Sequence, residues 1–460
     1  MSKAIHKTYI ETLAGYYPLY HLSQSYPERY PFFLESTAHS HSAQQNSRYD
    51  ILFAFPQASL KKDYRGKLTY RGESIADSTF LTSLDKLWQD EYHEQPAELP
   101  FTGGWFLFLG YELAQEIEPS LSLPIQPSHL PMAQATRIPV AALYDHVEDK
   151  TILLAEAEHA SALQQLKSDI LAGRNAAPRI KLSNLSAVEE DATEYYLQAV
   201  KTTLDYIRAG DVFQVNLSRC WQQRIGNVGL ITDIYTQLRR TNPAPFAGMA
   251  LFSEGGVYSS SPERLVRVIN GIVETRPIAG TRPRHSQLQT DIDLQKELLA
   301  HPKERAEHIM LIDLERNDLG RICIPGSVKV NELMTLESYA HVHHIVSNVQ
   351  GHLKTGITPG QVIRAVFPGG TITGCPKIRC MEIIAELEQT PRGPYTGSMG
   401  YLNHNGNMDM NILIRTIVQD GEYLKIRAGG GIVADSAPRH ELDETRAKAK
   451  GMLLALQDIY

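Results

Sequence analysis

Two short stretches of this 460-residue chain carry glutamates at helical spacing. The segment Lys303-Glu304-Arg305-Ala306-Glu307-His308 opens HPKERAEHIMLIDLERNDLG, and Glu441-Leu442-Asp443-Glu444-Thr445 is followed by Lys448. On a helix, positions i and i+3 share a face. Glu304 and Glu307 therefore point one way, Glu441 and Glu444 likewise, and Lys448 joins the second pair one turn on. Two such pairs brought together would suit Mg²⁺, which takes carboxylate and water oxygens and keeps positions open for an anionic substrate. Solvated charged helix faces have the same spacing and are commoner.

Two glycine-rich stretches offer backbone amides. Gly429, Gly430 and Gly431 lie between apolar runs, where missing side chains allow close approach and aim N–H groups at an anion; a plain turn has the same signature. No Lys-Ser/Thr follows, so this is not a nucleotide loop. Phe367 to Gly374 (FPGGTITG) leads through Cys375-Pro376-Lys377 into a helix, the setting of a carboxylate site or of ordinary capping. His341, His343 and His344 in HVHH would alternate faces in a strand, with no partner at zinc spacing. Cys220, Cys323, Cys375 and Cys380 read as four buried small hydrophobes. No G-x-S-x-G or G-x-C-x-G elbow signals a hydrolase or glutaminase.

The elements that must position these residues are legible in outline. Tyr49 to Phe55 (YDILFAF) reads as a buried strand stopped by Pro56, and Trp105 to Leu109 as another opened by Gly103-Gly104. Val140–Tyr144 and Thr151–Ala155 read as a strand pair. The prolines at 119, 124, 127 and 131 exclude a helix there. Residues 38–47 read as an exposed loop. Gly, Pro, Asn and Ser cluster in 172–192, which places the main boundary near 186, dividing an N-terminal region 1–185 from a catalytic region 186–460. Thr193 to Arg208 predicts a helix ended by Gly210, Val212 to Ser218 a strand, and a final helix runs from about Ala437. The expected class is α+β with large sheets and no regular βαβ period.

Composition bounds the partners. Hydrophobic residues are 42% and charged residues 21%, enough for a sizeable core. Lys plus Arg is 45 against 52 Asp plus Glu, a net charge of −7 that argues against nucleic acid. No apolar run approaches membrane-spanning length and no secretory leader is visible, so no membrane partner is expected. Four cysteines suit a reducing cytoplasm.

Taken together, the segments SSSPERL (259–265), RPIAGTRPR (276–284), KERAEHIMLIDLERNDLGR (303–321), HVHHIVS (341–347), GGTITGCPKIRCMEII (369–384), IRT (414–416), GGGIVADS (429–436) and DETRAKAK (443–450) resemble the chorismate-utilising enzymes, in that family's order. The N-terminal half, with SRYDILFAFP at 47–56, resembles the family's aminating branch. The resemblance implies a large α/β sandwich of the anthranilate synthase component I type, with the active-site cleft in its C-terminal part. It implies Glu307 and Glu444 as Mg²⁺ ligands, with Glu304 and Glu441 as outer partners. Gly429, Gly430, Gly431 and Lys448 would bind the ring carboxylate, and Arg415 and Tyr395 the enolpyruvyl carboxylate. Thr373 would hydrogen-bond the substrate, Glu263 would be the general acid, and His344 stands at the active-site histidine.

The resemblance also orders the candidate reactions. Members that add water carry a lysine where this chain has Gln214, which disfavours isochorismate formation and favours ammonia, brought by a separate glutamine amidotransferase subunit. Amination at C4 gives aminodeoxychorismate, and FPGGTITG and SRYDILFAFP favour it. Amination at C2 gives anthranilate, and Ala279 favours that, since many C4-aminating members carry lysine there. A non-catalytic chorismate-binding subunit is disfavoured by the intact acids and His344. Leu34, Glu35 and Ser36 resemble one wall of the family's tryptophan pocket, and Asn242, Pro243 and Phe246 another, so bound tryptophan is expected between them.

Overall fold

The YDILFAF run forms strand Tyr49–Ala54, ended by Phe55 at φ 53°. The other predicted runs form strands Gly104–Leu109, Val140–Asp145 and Lys150–Glu156, the last two paired antiparallel. A computed structural model describes residues 8–37, 48–94, 99–173, 186–226, 229–285, 287–338 and 342–457. The 38–47 stretch and His341 lie outside them.

The strands build two 12-stranded sheets, in keeping with the α+β class. Their inner faces are aromatic. Phe32 and Phe53 of one sheet meet Phe106 and Phe108 of the other, and the Phe32 and Phe106 rings stack at 4.0 Å. Burying such rings supplies much of the sandwich's cohesion, since each removes a large apolar surface from water. Helices cover the outer faces. Pro302–Gly320 and Pro359–Val366 pack on one sheet, and Asp233–Thr241 and Pro438–Gln457 on the other.

Both sheets cross residue 186. Strand Phe32–Glu35 pairs with Phe246–Phe252, and Gly104–Leu109 pairs with Ser398–Asn403. The segments 1–185 and 186–460 thus share their hydrogen-bonded ladders.

Five elements position the candidate site. Helix Thr193–Ala209 ends at Gly210, which takes φ 84° as a left-handed terminator. The chain then enters strand Gln214–Arg224, which pairs antiparallel with Tyr423–Ile432. Helix Pro438–Gln457 packs on the latter strand through Ala449, Met452 and Ala455. Helix Pro302–Gly320 starts with Pro302, whose missing N–H costs nothing in a first turn.

Candidate active site

Gly429, Gly430 and Gly431 are strand, not turn: they lie near the end of Tyr423–Ile432. Side chains there would have no room. A Cβ on Gly429 would sit 2.9 Å from the Tyr395 hydroxyl, and one on Gly431 would collide with the Gln214 amide. The ladder also fixes where their amides point. Gly431 lies opposite Asn216 and Gly429 opposite Ser218. Asn216 spends its N–H on Thr373 O at 2.9 Å, and Ser218 on Glu388 Oε1 at 2.8 Å. These are therefore the non-hydrogen-bonded pairs of the ladder. Gly429 and Gly431 turn their N–H groups to the opposite edge, which the neighbouring strand Thr416–Asp420 leaves after Ile426. Lys448 confirms the direction by donating to Gly429 O at 2.9 Å. Two outward amides beside an ammonium make an anion site.

The acids of Pro438–Gln457 lie under this edge. A Cβ on Gly430 would be 3.3 Å from Glu441 Oε2 and 3.7 Å from Glu444 Oε1. Ligand atoms of His440, Glu441 and Glu444 all fall within 4.8 Å of one another. Lys448 pairs with Glu444 at 2.7 Å. Neither Glu304 nor Glu307 joins that group at this spacing, among the described residues. Glu304 instead lies against Gly280 and accepts from Arg282 at 2.7 Å, while its Oε2 is buried with no hydrogen-bond partner among the described residues. Glu307 is half-buried one turn further on. Oxygen donors with an orphaned carboxylate oxygen fit a hard divalent cation.

Glu263 follows strand Gly255–Ser261 and is buried, its backbone amide held by Ser261 Oγ. Burial raises its carboxyl to about 7; the neighbouring Thr371 hydroxyl, Ile278 amide and Lys448 pull less strongly the other way. Across the Gly370–Ile372 turn lies a second buried acid, Glu315, raised to about 8 by burial and then by Asp318. His344 is buried with Nδ1 3.4 Å from Gly280 O, and burial followed by the Arg415 charge lowers it to about 4. It is a neutral imidazole at pH 7. Its neighbour His343 faces the other way and bridges Ser338 Oγ at 2.7 Å and Asp291 at 3.0 Å. Arg415 is half-buried beside Tyr395 and Glu444, and reaches Asn242 Oδ1 at 3.4 Å.

A carboxyl raised toward neutrality, an amide-and-lysine anion site, a half-buried arginine and an oxygen-rich acidic group thus surround one end of one ladder. Residues 31–454 match the chorismate binding enzyme family. The chain belongs to that family. The chorismate-binding chain is 42% identical over 434 residues to aminodeoxychorismate synthase component 1 of Bacillus subtilis, covering 90% of each protein. It is 38% identical over 439 residues to anthranilate synthase component 1 of Thermus thermophilus, covering 93% of this chain and 92% of that one. Among solved structures, anthranilate synthase component I from Streptococcus pneumoniae TIGR4 superposes with a TM-score of 0.78 at 35% identity, covering 88% of this chain and 92% of that chain. The chain is therefore a chorismate-utilising enzyme of the anthranilate or aminodeoxychorismate synthase component I type.

Within this chorismate-utilising enzyme most of the expected residues converge. Thr373 is buried with its hydroxyl donated to Gly369 O at 2.9 Å, which leaves it an acceptor toward any ligand. Ala279 is buried opposite Ile345 on strand Val342–His352. Leu34, Glu35, Ser36 and Phe246 line a cavity of about 290 Å³. Pro245 lines it where Pro243 does not, and Asn242 faces Ser260 and Arg415 instead. The cysteines divide: Cys323 and Cys380 are buried as expected, whereas Cys220 and Cys375 are half-buried because they lie on strands near a sheet edge. Among the described residues, no helix is long and apolar enough to cross a membrane.

Sequence reasoning passed over Arg392 and Glu388. Arg392 is buried and grips both Glu388 oxygens, at 2.6 and 3.0 Å, together with Asn216 O at 2.7 Å and Ile372 O at 3.1 Å. Its guanidinium lies 5.6 Å from the Tyr395 ring centre. Their i,i+4 spacing was the available signal, but it matches an ordinary surface pair.

Proposed function

We propose that the chain is aminodeoxychorismate synthase component I, converting chorismate and ammonia to 4-amino-4-deoxychorismate for 4-aminobenzoate and folate synthesis. A separate glutamine amidotransferase subunit supplies the ammonia, and the enzyme works in the cytoplasm. The observation that carries amination is Gln214, an amide packed on Gly431 at the floor of the anion site. A neutral amide cannot deprotonate water, whereas ammonia brings its own lone pair. The 42% identity to a Bacillus subtilis aminodeoxychorismate synthase component 1, over 90% of both chains, favours the C4 product.

In this reading the ring carboxylate lies on the Gly429 and Gly431 amides and Lys448. Arg415 and Tyr395 take the enolpyruvyl carboxylate, Arg415 by a charged fork. Thr373 accepts a substrate hydroxyl. Glu263 gives its proton to the C4 hydroxyl, which leaves as water while nitrogen bonds to the ring. His344, neutral at pH 7, orders this end of the site without adding charge. Glu307 and Glu444 would hold Mg²⁺, with Glu304 and Glu441 as outer partners. The ion, when bound, offsets the substrate's carboxylate charge.

Ala279 favours a second reading, anthranilate synthase component I. Its methyl offers no nucleophile for a covalent route to C4, and direct C2 amination needs none. One assay decides between the readings: the protein, chorismate, Mg²⁺ and ammonium at alkaline pH. The expected product yields 4-aminobenzoate only after a lyase is added. Fluorescent anthranilate without added enzyme overturns the C4 assignment, and intact chorismate would mean a binding subunit.

Two further results are expected. Glu444→Gln weakens Mn²⁺ binding, read by electron paramagnetic resonance, about tenfold or more while the circular dichroism spectrum is unchanged; each ligand lost from a small oxygen site is costly. Unaltered Mn²⁺ affinity removes Glu444 from the metal. The 290 Å³ cavity offers apolar walls with Glu35 and Asp409 for an ammonium, and Arg48 and Arg267 for a carboxylate. Those are the parts of a zwitterionic tryptophan. Calorimetric titration is expected to show one tryptophan per chain, or the purified protein to carry it already. The absence of both binding heat and retained tryptophan would count against the pocket.

A further inference from the structure

Residues 214, 216 and 218 share one face of strand Gln214–Arg224, because side chains alternate along a strand. Ser218 is fully engaged there: its hydroxyl and its amide both donate to Glu388 Oε1, at 2.9 and 2.8 Å. Asn216 has its backbone committed to Thr373 O and to Arg392. The side-chain oxygens of Gln214 and Asn216 are different. Gln214 is 6% and Asn216 9% exposed, and neither Gln214 Oε1 nor Asn216 Oδ1 has a hydrogen-bond partner among the described residues. Buried acceptors without donors forfeit their full solvation, so such pairs are maintained where a ligand supplies the donors.

The ligand's chemistry follows from the surroundings. Both oxygens accept and neither side chain is basic. The Gln214 amide packs on Gly431, which is also the ladder partner of Asn216, and the Tyr395 hydroxyl lies against Gly429 two residues back. A ring held by the outward amides would be within reach of whatever these oxygens hold. Water could donate to both, but nothing there would take its proton. Ammonium could donate to both, but has no lone pair. Ammonia donates two N–H groups and keeps its lone pair directed away from the oxygens.

We propose that Gln214 Oε1 and Asn216 Oδ1 form the ammonia subsite of this enzyme. The inference rests on the amination reading above and adds Asn216, which that reading does not use. The pair orients the nucleophile and discriminates it from water without acid–base chemistry.

The test uses the full chain with ammonium chloride as nitrogen source, saturating Mg²⁺ and fixed pH. Asn216→Leu keeps the branched shape and removes the acceptor. It is expected to raise KM for ammonium about tenfold, the usual scale of one lost hydrogen bond in a buried site, while KM for chorismate stays within about twofold. Gln214→Met should do the same, which guards against one variant misfolding. Asn216→Asp should lower KM for ammonium, lower kcat and move the pH optimum upward, because a carboxylate holds the protonated form. Unchanged KM for ammonium in both neutral variants overturns the proposal. So does a parallel rise in KM for chorismate, which would assign the oxygens to the ring. A wild-type protein that consumes chorismate without needing ammonium, or not at all, overturns the amination reading itself.

Discussion

Glu263→Gln is expected to cost about 100-fold or more in turnover while making the protein more stable above neutral pH. The loss is the usual scale for removing a positioned general acid. The gain follows from burial. Glu263 is raised from the ordinary 4.5 to about 7 in the folded chain. Between those values the folded state holds a proton that the unfolded state has released. Stability therefore falls as pH rises from about 4.5 to 7 and stays lower beyond. The size is on the order of 3 kcal/mol, from about 1.36 kcal/mol per pKa unit. Glutamine keeps the shape and has no charge to bury. Its melting temperature should exceed wild type by about 3 °C at pH 8 for a chain this long, with the gap closing toward pH 4.5. With free ammonia held constant, wild-type kcat/KM should fall about tenfold per unit above pH 7, as the acid form is lost. Retained activity, or a stability change independent of pH, would remove Glu263 from the acid role.

That residue illustrates what the sequence could and could not carry. Nothing in the spacing of SSSPERL marks Glu263 as an acid; only resemblance did. Its raised pKa comes from burial that no local pattern encodes. The glutamate pairs were legible from i,i+3 spacing, and Gly210 from its place after an amphipathic helix. The three central glycines were legible as a backbone approach, yet their role in a strand was not. That role depends on Thr373 and Glu388 taking the amides of Asn216 and Ser218, contacts some 150 to 170 residues away in the chain. The boundary near 186 follows from composition, which says nothing of ladders such as Phe32–Glu35 with Phe246–Phe252 that tie both sides together.

The second large effect lies at Arg392, which the local sequence disguises as half of a surface pair. Arg392→Ala is expected to destabilise by about 3–5 kcal/mol in urea unfolding, the cost of leaving a buried partner charge uncompensated. Glu388 is that partner, and Arg427 at 3.4 Å is its remaining cation. The same substitution leaves Asn216 O and Ile372 O without the donor that joins them. Those carbonyls belong to the segments carrying Gln214 and Thr373, and the guanidinium also lies beside the Tyr395 ring. Stability and positioning separate in a second variant. Arg392→Met with Glu388→Leu and Arg427→Met buries no charge, because Arg427 is itself buried and paired with Glu388, so most of the lost stability should return, as apolar replacement of buried ion pairs often allows. Substrate affinity should not return with it, because no side chain then ties strand Gln214–Arg224 to the Gly370–Ile372 turn. The expected triple variant folds near wild-type stability with KM for chorismate still raised about tenfold or more, a transition-state or binding loss of about 1.4 kcal/mol. Recovery of both together would make the pair a structural filler. A single variant within about 1 kcal/mol of wild type would show that Arg427 alone holds Glu388.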